Sequence, residues 1–229
     1  MVSASIKSSE IRFGECNKKL LEEVIFYGIS LGADFVELFI ENSDNSSVLA
    51  EEDFITNVSP SFSKGAGIRI FKDKRDGFVS TNDLSKHGLM RSISQAIEML
   101  DISKKTNKLI FNGLEKLKDY SKSKINWLNE VPTINEVSEK LLLSTKSLKK
   151  DKKVVVRKGS YARNWQEVII ASSDGTYATD IRLHQTVGLN IIANDAQYRS
   201  NGSRRFGSHG IPNEFRLWDH EKASNEVYE

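Results

Sequence analysis

The sequence predicts an α+β protein: curved, mainly antiparallel sheets with amphipathic helices packed on one side. Two stretches carry that reading. In Gly65–Asp83, Ile68 and Ile70 are separated from Phe78 and Val79 by the polar segment Lys72-Asp-Lys-Arg-Asp76 and Gly77. β-formers around a short polar loop with Gly mark a β-hairpin. Leu89, Ile93, Ala96, Ile97 and Leu100 follow at helical spacing, with Asp83 as the expected cap. A hairpin leading straight into a covering helix implies an α+β layer rather than a βαβ crossover. The second stretch runs from Val154 to about Gln197, where β-branched segments are longer than ordinary strands. Strands of that length commonly belong to a strongly curved sheet.

The remaining elements follow in order. Residues 1–14 are small and polar and are expected to fray. From Glu15 to Leu31, Leu20, Leu21, Val24, Ile25 and Ile29 recur with helical period, and Gly32 is placed to end the helix. Asp34–Glu41 reads as a central strand, apolar on both faces. The polar run Asn42–Ser47 is expected to turn into a second strand at Val48–Glu51. Glu51-Glu52-Asp53 then turns into a third strand at Phe54–Val58. The two glycines Gly65 and Gly67 predict a bulge or a close backbone approach. Thr133-Ile-Asn-Glu136 is a capping box, opening a helix with Val137, Leu141, Ser144/Thr145 and Leu148 on one face. Its end carries Lys149, Lys150, Lys152 and Lys153, which suit the negative pole of the helix dipole. Val154–Lys158, Ser160–Ala171 and Thr176–Ala193 are the later strands, with Ser173-Asp174-Gly175 as a hairpin turn. Alternation through Asp180–Val187 predicts one buried and one wet face. Tyr198–Gly210 reads as a Gly/Ser/Arg loop, and Asp219 as the cap of a short helix near the end.

Composition narrows the function. With 38% hydrophobic and 28% charged residues, three prolines and 14 glycines, the chain has globular composition. A net charge of +2 makes no whole-molecule case for nucleic acid. Ser103–Asn126 is locally basic, with seven lysines against one Asp and one Glu; a solvated linker is the leading reading and a basic contact patch the alternative. The single cysteine, Cys16, excludes an intrachain disulfide and fits a reducing compartment. No apolar run is long enough to span a bilayer and no signal-peptide core stands at the N-terminus, so the expected location is cytoplasmic, without a membrane partner.

The chain carries no recognisable catalytic set. His87, His184, His209 and His220 are scattered, and His220-Glu221 lacks the second histidine of a zinc helix. There is no nucleophile elbow and no phosphate loop; Gly65-Ala66-Gly67 precedes a strand rather than a helix. Cys16 has no evident His partner and reads as a packed or surface thiol. Arg199, Arg204, Arg205 and His209 form the one place to look for anion or carboxylate contact, since guanidinium groups suit peptide termini and acidic side chains. A mobile surface loop is the leading reading of the stretch, and anion contact the alternative. No metal-ligating residue is assigned.

Gly32-Ala-Asp-Phe-Val-Glu-Leu-Phe39, the Glu51-Glu52 strand, Gly65-Ala-Gly-Ile-Arg69 and Gly77-Phe-Val-Ser-Thr-Asn-Asp83 resemble the amino-terminal domain of the TldD/PmbA family, once called modulators of DNA gyrase. Ser173-Asp-Gly-Thr176, Asp180-Ile-Arg182 and the Gly/Arg segment near Gly202 resemble its second domain. The resemblance implies a cytoplasmic, zinc-dependent peptidase acting on unfolded or flexible peptides, as a homodimer or a TldD–PmbA-like heterodimer. The family's His-Glu-x-x-x-His helix lies in a third domain, so no metal ligand or catalytic glutamate is carried over to any residue here, and the 229 residues alone are expected to be inactive. The implied organisation is an α+β domain over 1–102, a lysine-rich linker over 103–130, a β-rich domain over 131–215, and over 216–229 the start of a helix leading to an absent third domain. Three functions follow as expectations: the substrate-holding part of such a peptidase, a naturally short partner of a full-length paralogue, or a nucleic-acid-associated module with weak, salt-sensitive binding.

Overall fold

The computed structural model describes Phe13 and residues 16–100, 111–116, 131–148, 151–210 and 213–228. Most of the lysine-rich segment 103–126, the lysines at 149 and 150, and the N-terminal stretch except Phe13 lie outside the described residues. The chain forms two compact units, one from residues 1–43, 63–122 and 166–181, the other from 44–62, 123–165 and 182–229. Four strands contribute residues to both: β1 (Phe35–Glu51), β2 (Phe54–Lys72), β5 (Val154–Ser172) and β6 (Thr176–Asp195).

In the first unit the strand order is β3-β2-β1-β5-β6-β4, with β3 at Arg75–Thr81 and β4 at Glu115–Lys116. The short β4 runs parallel to β6, whereas β2 and β3 are antiparallel. The backbone N–H of Ser173 donates to Val36 O (2.9 Å), joining β5 to β1. Two helices cover one face. Helix α1 (Lys18–Ser30) starts where the Asn17 side chain accepts from the Leu20 N–H, and buries Leu21, Val24 and Ile25. Helix α2 (Lys86–Met99) buries Leu89, Ile93, Ala96 and Ile97. Against them lie Val36, Leu38 and Ile40 of β1 and Ile68 and Ile70 of β2, all fully buried. Burying each such aliphatic side chain contributes about 1.5–3 kcal/mol.

Three local expectations are corrected in this unit. The cap of α2 is Ser85, whose Oγ accepts from the Gly88 N–H at 3.1 Å; Asp83 instead accepts from the Ser85 N–H and hydroxyl, a turn before the helix. The β2–β3 hairpin turns on two residues, not five. Asp73 and Lys74 both have positive φ (48° and 65°), as a type I′ turn requires, while Lys72 pairs with Arg75. Asp34 supports that turn by accepting from the Asp73 N–H and from the nearly buried Lys72 ammonium, 2.8 Å away. Finally, β1 is central in the order but has one buried face rather than two; Phe39 on the other is 36% exposed.

The second unit orders its strands β2-β1-β5-β6, with β7 (Tyr198–His209) added beside β6. The expected turn at Asn42–Ser47 is absent, and β1 and β2 each run on as single strands. Asp44 receives Arg163 Nη2 at 3.0 Å and Asn45 receives Asn164 Nδ2, so cross-strand partners replace the local turn bonds these residues would otherwise make. Likewise Gly159 does not divide β5. A Cβ there would stand 2.9 Å from Leu141 Cδ1, so the glycine lets a helix approach the sheet. That helix, α3 (Ile134–Ser147), begins with the expected capping box: Thr133 Oγ1 accepts from the Glu136 N–H and the Glu136 carboxylate from the Thr133 N–H. Val137 and Leu141 of α3 pack with Val48, Tyr161, Val187 and Phe215. Helix α4 (Glu214–Leu217) supplies Phe215, and α5 (His220–Glu226), capped by Asp219 as expected, supplies Ala223 to a cluster with Leu148, Leu189 and Ile191.

Arg157, 4% exposed, ties this unit together. Its Nε donates to Glu52 (2.8 Å), its Nη1 to the carbonyl of Thr145 (3.0 Å), and its Nη1 also meets Asp53 at 3.3 Å. The Glu52 N–H in turn donates to the Arg157 carbonyl, and the Arg157 N–H to the Glu52 carboxylate, each at 2.9 Å. One guanidinium thereby holds the β1–β2 turn, β5 and the last turn of α3.

Two measurements check these interactions. Arg157→Met should destabilise the protein by about 3 kcal/mol in urea unfolding, because two carboxylates and a helix carbonyl lose a buried donor. The Arg216 guanidinium, and after it the Thr133 N–H, hold the Glu136 carboxyl down at about 2. A depressed carboxyl stabilises the fold above its ordinary value of 4.5 and loses that contribution as pH falls towards 2. The difference in melting temperature between wild type and Glu136→Gln should therefore be largest above pH 5 and vanish near pH 2.

Candidate functional site

The four residues expected to contact anions do not sit on a loop. They lie on β7, a twelve-residue strand antiparallel to β6. A β pattern was legible neither in the Gly and Ser content nor in hydrophobic alternation; Phe206 is the one large apolar side chain within Arg199–His209. The ladder forms because β6 presents a complete set of backbone partners from His184 to Asp195.

Alternation along β7 sorts the four. Arg199, Arg205 and His209 share one face; Arg204 points to the other with Gly202 and Phe206. All four are exposed. At about 3.3 Å per residue, Arg199 and Arg205 are roughly 20 Å apart and Arg205 and His209 roughly 13 Å. They do not converge on one point, so the strand offers a row of separate contacts instead of a single anion pocket.

The face carrying Arg205 and His209 is the open side of this unit's sheet. On β6 the expected alternation is present: Leu183, Gln185 and Val187 are buried, whereas Arg182, His184 and Thr186 are exposed. On β5, Lys158, Ala162 and Asn164 are exposed while Arg157, Gly159 and Tyr161 are buried. On β5 and β6 the open face is therefore built of small, polar and charged side chains, while Leu49 of β1, 42% exposed, adds an apolar one. A recess of about 610 Å³ lies over it, bordered by Glu51, Lys158, Ser160, Asn190, Ser203 and Arg205. Gly188 forms its floor, and a Cβ there would come within 2.7 Å of Ser160 Oγ. Lys158 is paired with Glu51 at 3.2 Å. A second recess of about 470 Å³ is bordered by Asn45, Asn164, His184 and Thr186.

The buried side behaves differently. Tyr161 donates to Gln185 Oε1 (2.9 Å), and burial pushes the phenol up to about 12, so it serves as a fixed hydrogen-bond donor. Sequence reasoning missed two features here: the pairing of His184 with His209 across β6 and β7, and the Arg157 hub. Neither has a local signal, because each partner lies on a different strand.

A catalytic zinc, which takes three protein ligands, does not fit the described residues. Among the described residues no group of three or more His, Cys, Asp or Glu side chains stands close enough to hold a metal ion. His220-Glu221 begins a helix of seven residues. Among the described residues, no helix is long and apolar enough to cross a membrane.

Comparison with known proteins decides the family. Residues 36–100 match the family described as PmbA/TldA metallopeptidase domain 1, and residues 127–229 match the PmbA/TldA metallopeptidase central domain. The chain belongs to the PmbA/TldD family. Among its relatives, a metalloprotease TldD homolog of Haemophilus influenzae is 23% identical over 198 residues, covering 85% of this chain and 39% of that protein. A TldD homolog of Buchnera aphidicola is likewise 23% identical over 185 residues, covering 76% and 36%. The crystal structure of TldE from Thermococcus kodakarensis superposes with a TM-score of 0.71 at 20% identity, covering 91% of this chain and 47% of that one. The chain thus spans about two-fifths of the length of the curated relatives it matches.

Cys16 is buried, and burial pushes its thiol up to about 11, with the Lys64 charge opposing only in part. At pH 8 about one part in a thousand is then thiolate. Iodoacetamide should leave the native protein unmodified at Cys16 and label it stoichiometrically in denaturant, as read by intact mass.

Proposed function

We propose that this chain is the substrate-holding part of a TldD/PmbA-type metalloprotease and that it grips extended polypeptide by its backbone. One observation carries the reading: β7 is paired on one side only, by β6, among the described residues, over twelve residues without a proline, beside an open face whose β5 and β6 side chains are small, polar or charged. An edge of that kind accepts an extended chain by strand addition, where main-chain hydrogen bonds give affinity with little dependence on sequence. Arg199 and Arg205 along the strand would meet acidic side chains or a terminal carboxylate, and the recesses over β5 and β6 would take alternate side chains. The family relationship supports peptide as the ligand, since the curated relatives carry the metalloprotease name. Bond cleavage, with its zinc, belongs in this reading to residues outside the chain. A second copy or a full-length paralogue would complete the assembly in the cytoplasm.

An unstructured polypeptide bearing a photoreactive group should crosslink to residues within 154–210 when mixed with this chain. Labelling confined to the lysine-rich 103–126 segment overturns the proposal, as does binding to duplex DNA that survives physiological salt while no peptide is captured. Ala162→Trp, which fills the open face of β5, should weaken peptide binding roughly tenfold, about 1.4 kcal/mol.

A further inference from the structure

We propose that His184 and His209 form a surface chelate for a first-row divalent transition metal, separate from the family's catalytic zinc. The two residues are direct cross-strand partners on β6 and β7 and project onto the open face. Their Nδ1 atoms are 3.2 Å apart and their ring centroids 4.4 Å apart. Two neutral imidazoles whose Nδ1 lone pairs faced each other at that distance would repel. Without a metal, one Nδ1–H donates to the lone pair of the other Nδ1, and a metal ion can take the place of that proton.

A metal ion suits the same distance. Tetrahedral zinc holds imidazole nitrogens at about 2.0–2.1 Å, which sets neighbouring nitrogens about 3.3 Å apart. The scaffold fits as well, because the two residues are direct partners in a continuous antiparallel ladder from His184↔His209 to Asp195↔Tyr198, so chelation needs no rearrangement of the backbone. Both rings are exposed, leaving the ion an open approach and water for its other positions. Beyond the pair the row continues into Asn164 and Asn45, neutral amides joined to each other by a hydrogen bond. Imidazole ligands select zinc, copper and nickel over magnesium and calcium, which prefer oxygen. The inference needs no bound peptide and stands or falls independently of the peptide reading.

Zn²⁺ alone, titrated into the full chain by calorimetry, should bind one ion per chain. His184→Ala and His209→Ala should each weaken that binding by roughly tenfold or more, and His87→Ala should leave it unchanged. Cu²⁺ should bind more tightly than Zn²⁺, and Mg²⁺ should not compete. In wild-type protein, zinc should shift the Nδ1 rather than the Nε2 ¹⁵N resonances of both rings. Absence of saturable binding, binding retained in the double variant, or shifts on the Nε2 atoms would each overturn the chelate and leave a simple histidine hydrogen bond.

Discussion

The pairing of β1 with β5 is the constraint on which the other features rest. The two strands are separated by more than a hundred residues of sequence, so bringing them together costs loop-closure entropy before any contact rewards it. Specific bonds hold the pairing where it forms. In one unit the Ser173 N–H reaches Val36 O and the Ser173 hydroxyl accepts from the Val36 N–H. In the other, Glu52 and Arg157 exchange backbone and side-chain bonds, with the guanidinium buried. With β1 and β5 side by side, hairpin partners add at each flank: β2 and β3 beyond β1, β6 and β7 beyond β5. Each of those additions is local in sequence and needs only a tight turn.

A β-strand alternates its side chains, and that geometry divides structural from exposed chemistry in the second unit. Tyr161, Gln185, Val187 and Leu189 turn towards the helices and are held by packing and by the Tyr161–Gln185 hydrogen bond. Their immediate neighbours Ala162, His184, Thr186 and Gly188 turn the other way and remain small or polar. On β5 and β6 such a face does not need to be covered to be stable. It can remain available to a ligand, and the same alternation places His209 opposite His184 without a core packing requirement.

Arg157 and the β7 arginines show how one residue type takes two roles in one unit. Arg157 is desolvated, meets two carboxylates and a carbonyl, and acts as a bracket. Arg199, Arg204 and Arg205 stay in water, where an ion pair contributes little to stability but can still steer an acidic ligand. Glu136 lies between these extremes: it is part of a capping box within its own helix and at the same time the acceptor for Arg216, 80 residues further along the chain.

Much of the local structure was legible in the sequence. The helix faces of Leu21–Ile25, Leu89–Ile97 and Val137–Leu141, the Thr133–Glu136 capping box, the Ser173–Gly175 turn and the wet-dry alternation after Asp180 are each set by residues within a few positions of one another. The family too was readable, from short motifs in the right order. The Asn42–Ser47 run and the Tyr198–Gly210 stretch were not, because their residues favour turns in isolation and became strands only when a neighbouring strand offered hydrogen-bond partners. The same holds for the candidate site. Sequence marked the β7 arginines and His209 as unusual, yet only the ladder revealed that the arginines are spread along an edge and that His209 faces His184. Propensity is a property of the segment; pairing is a property of two segments brought together, and no single stretch of chain contains it.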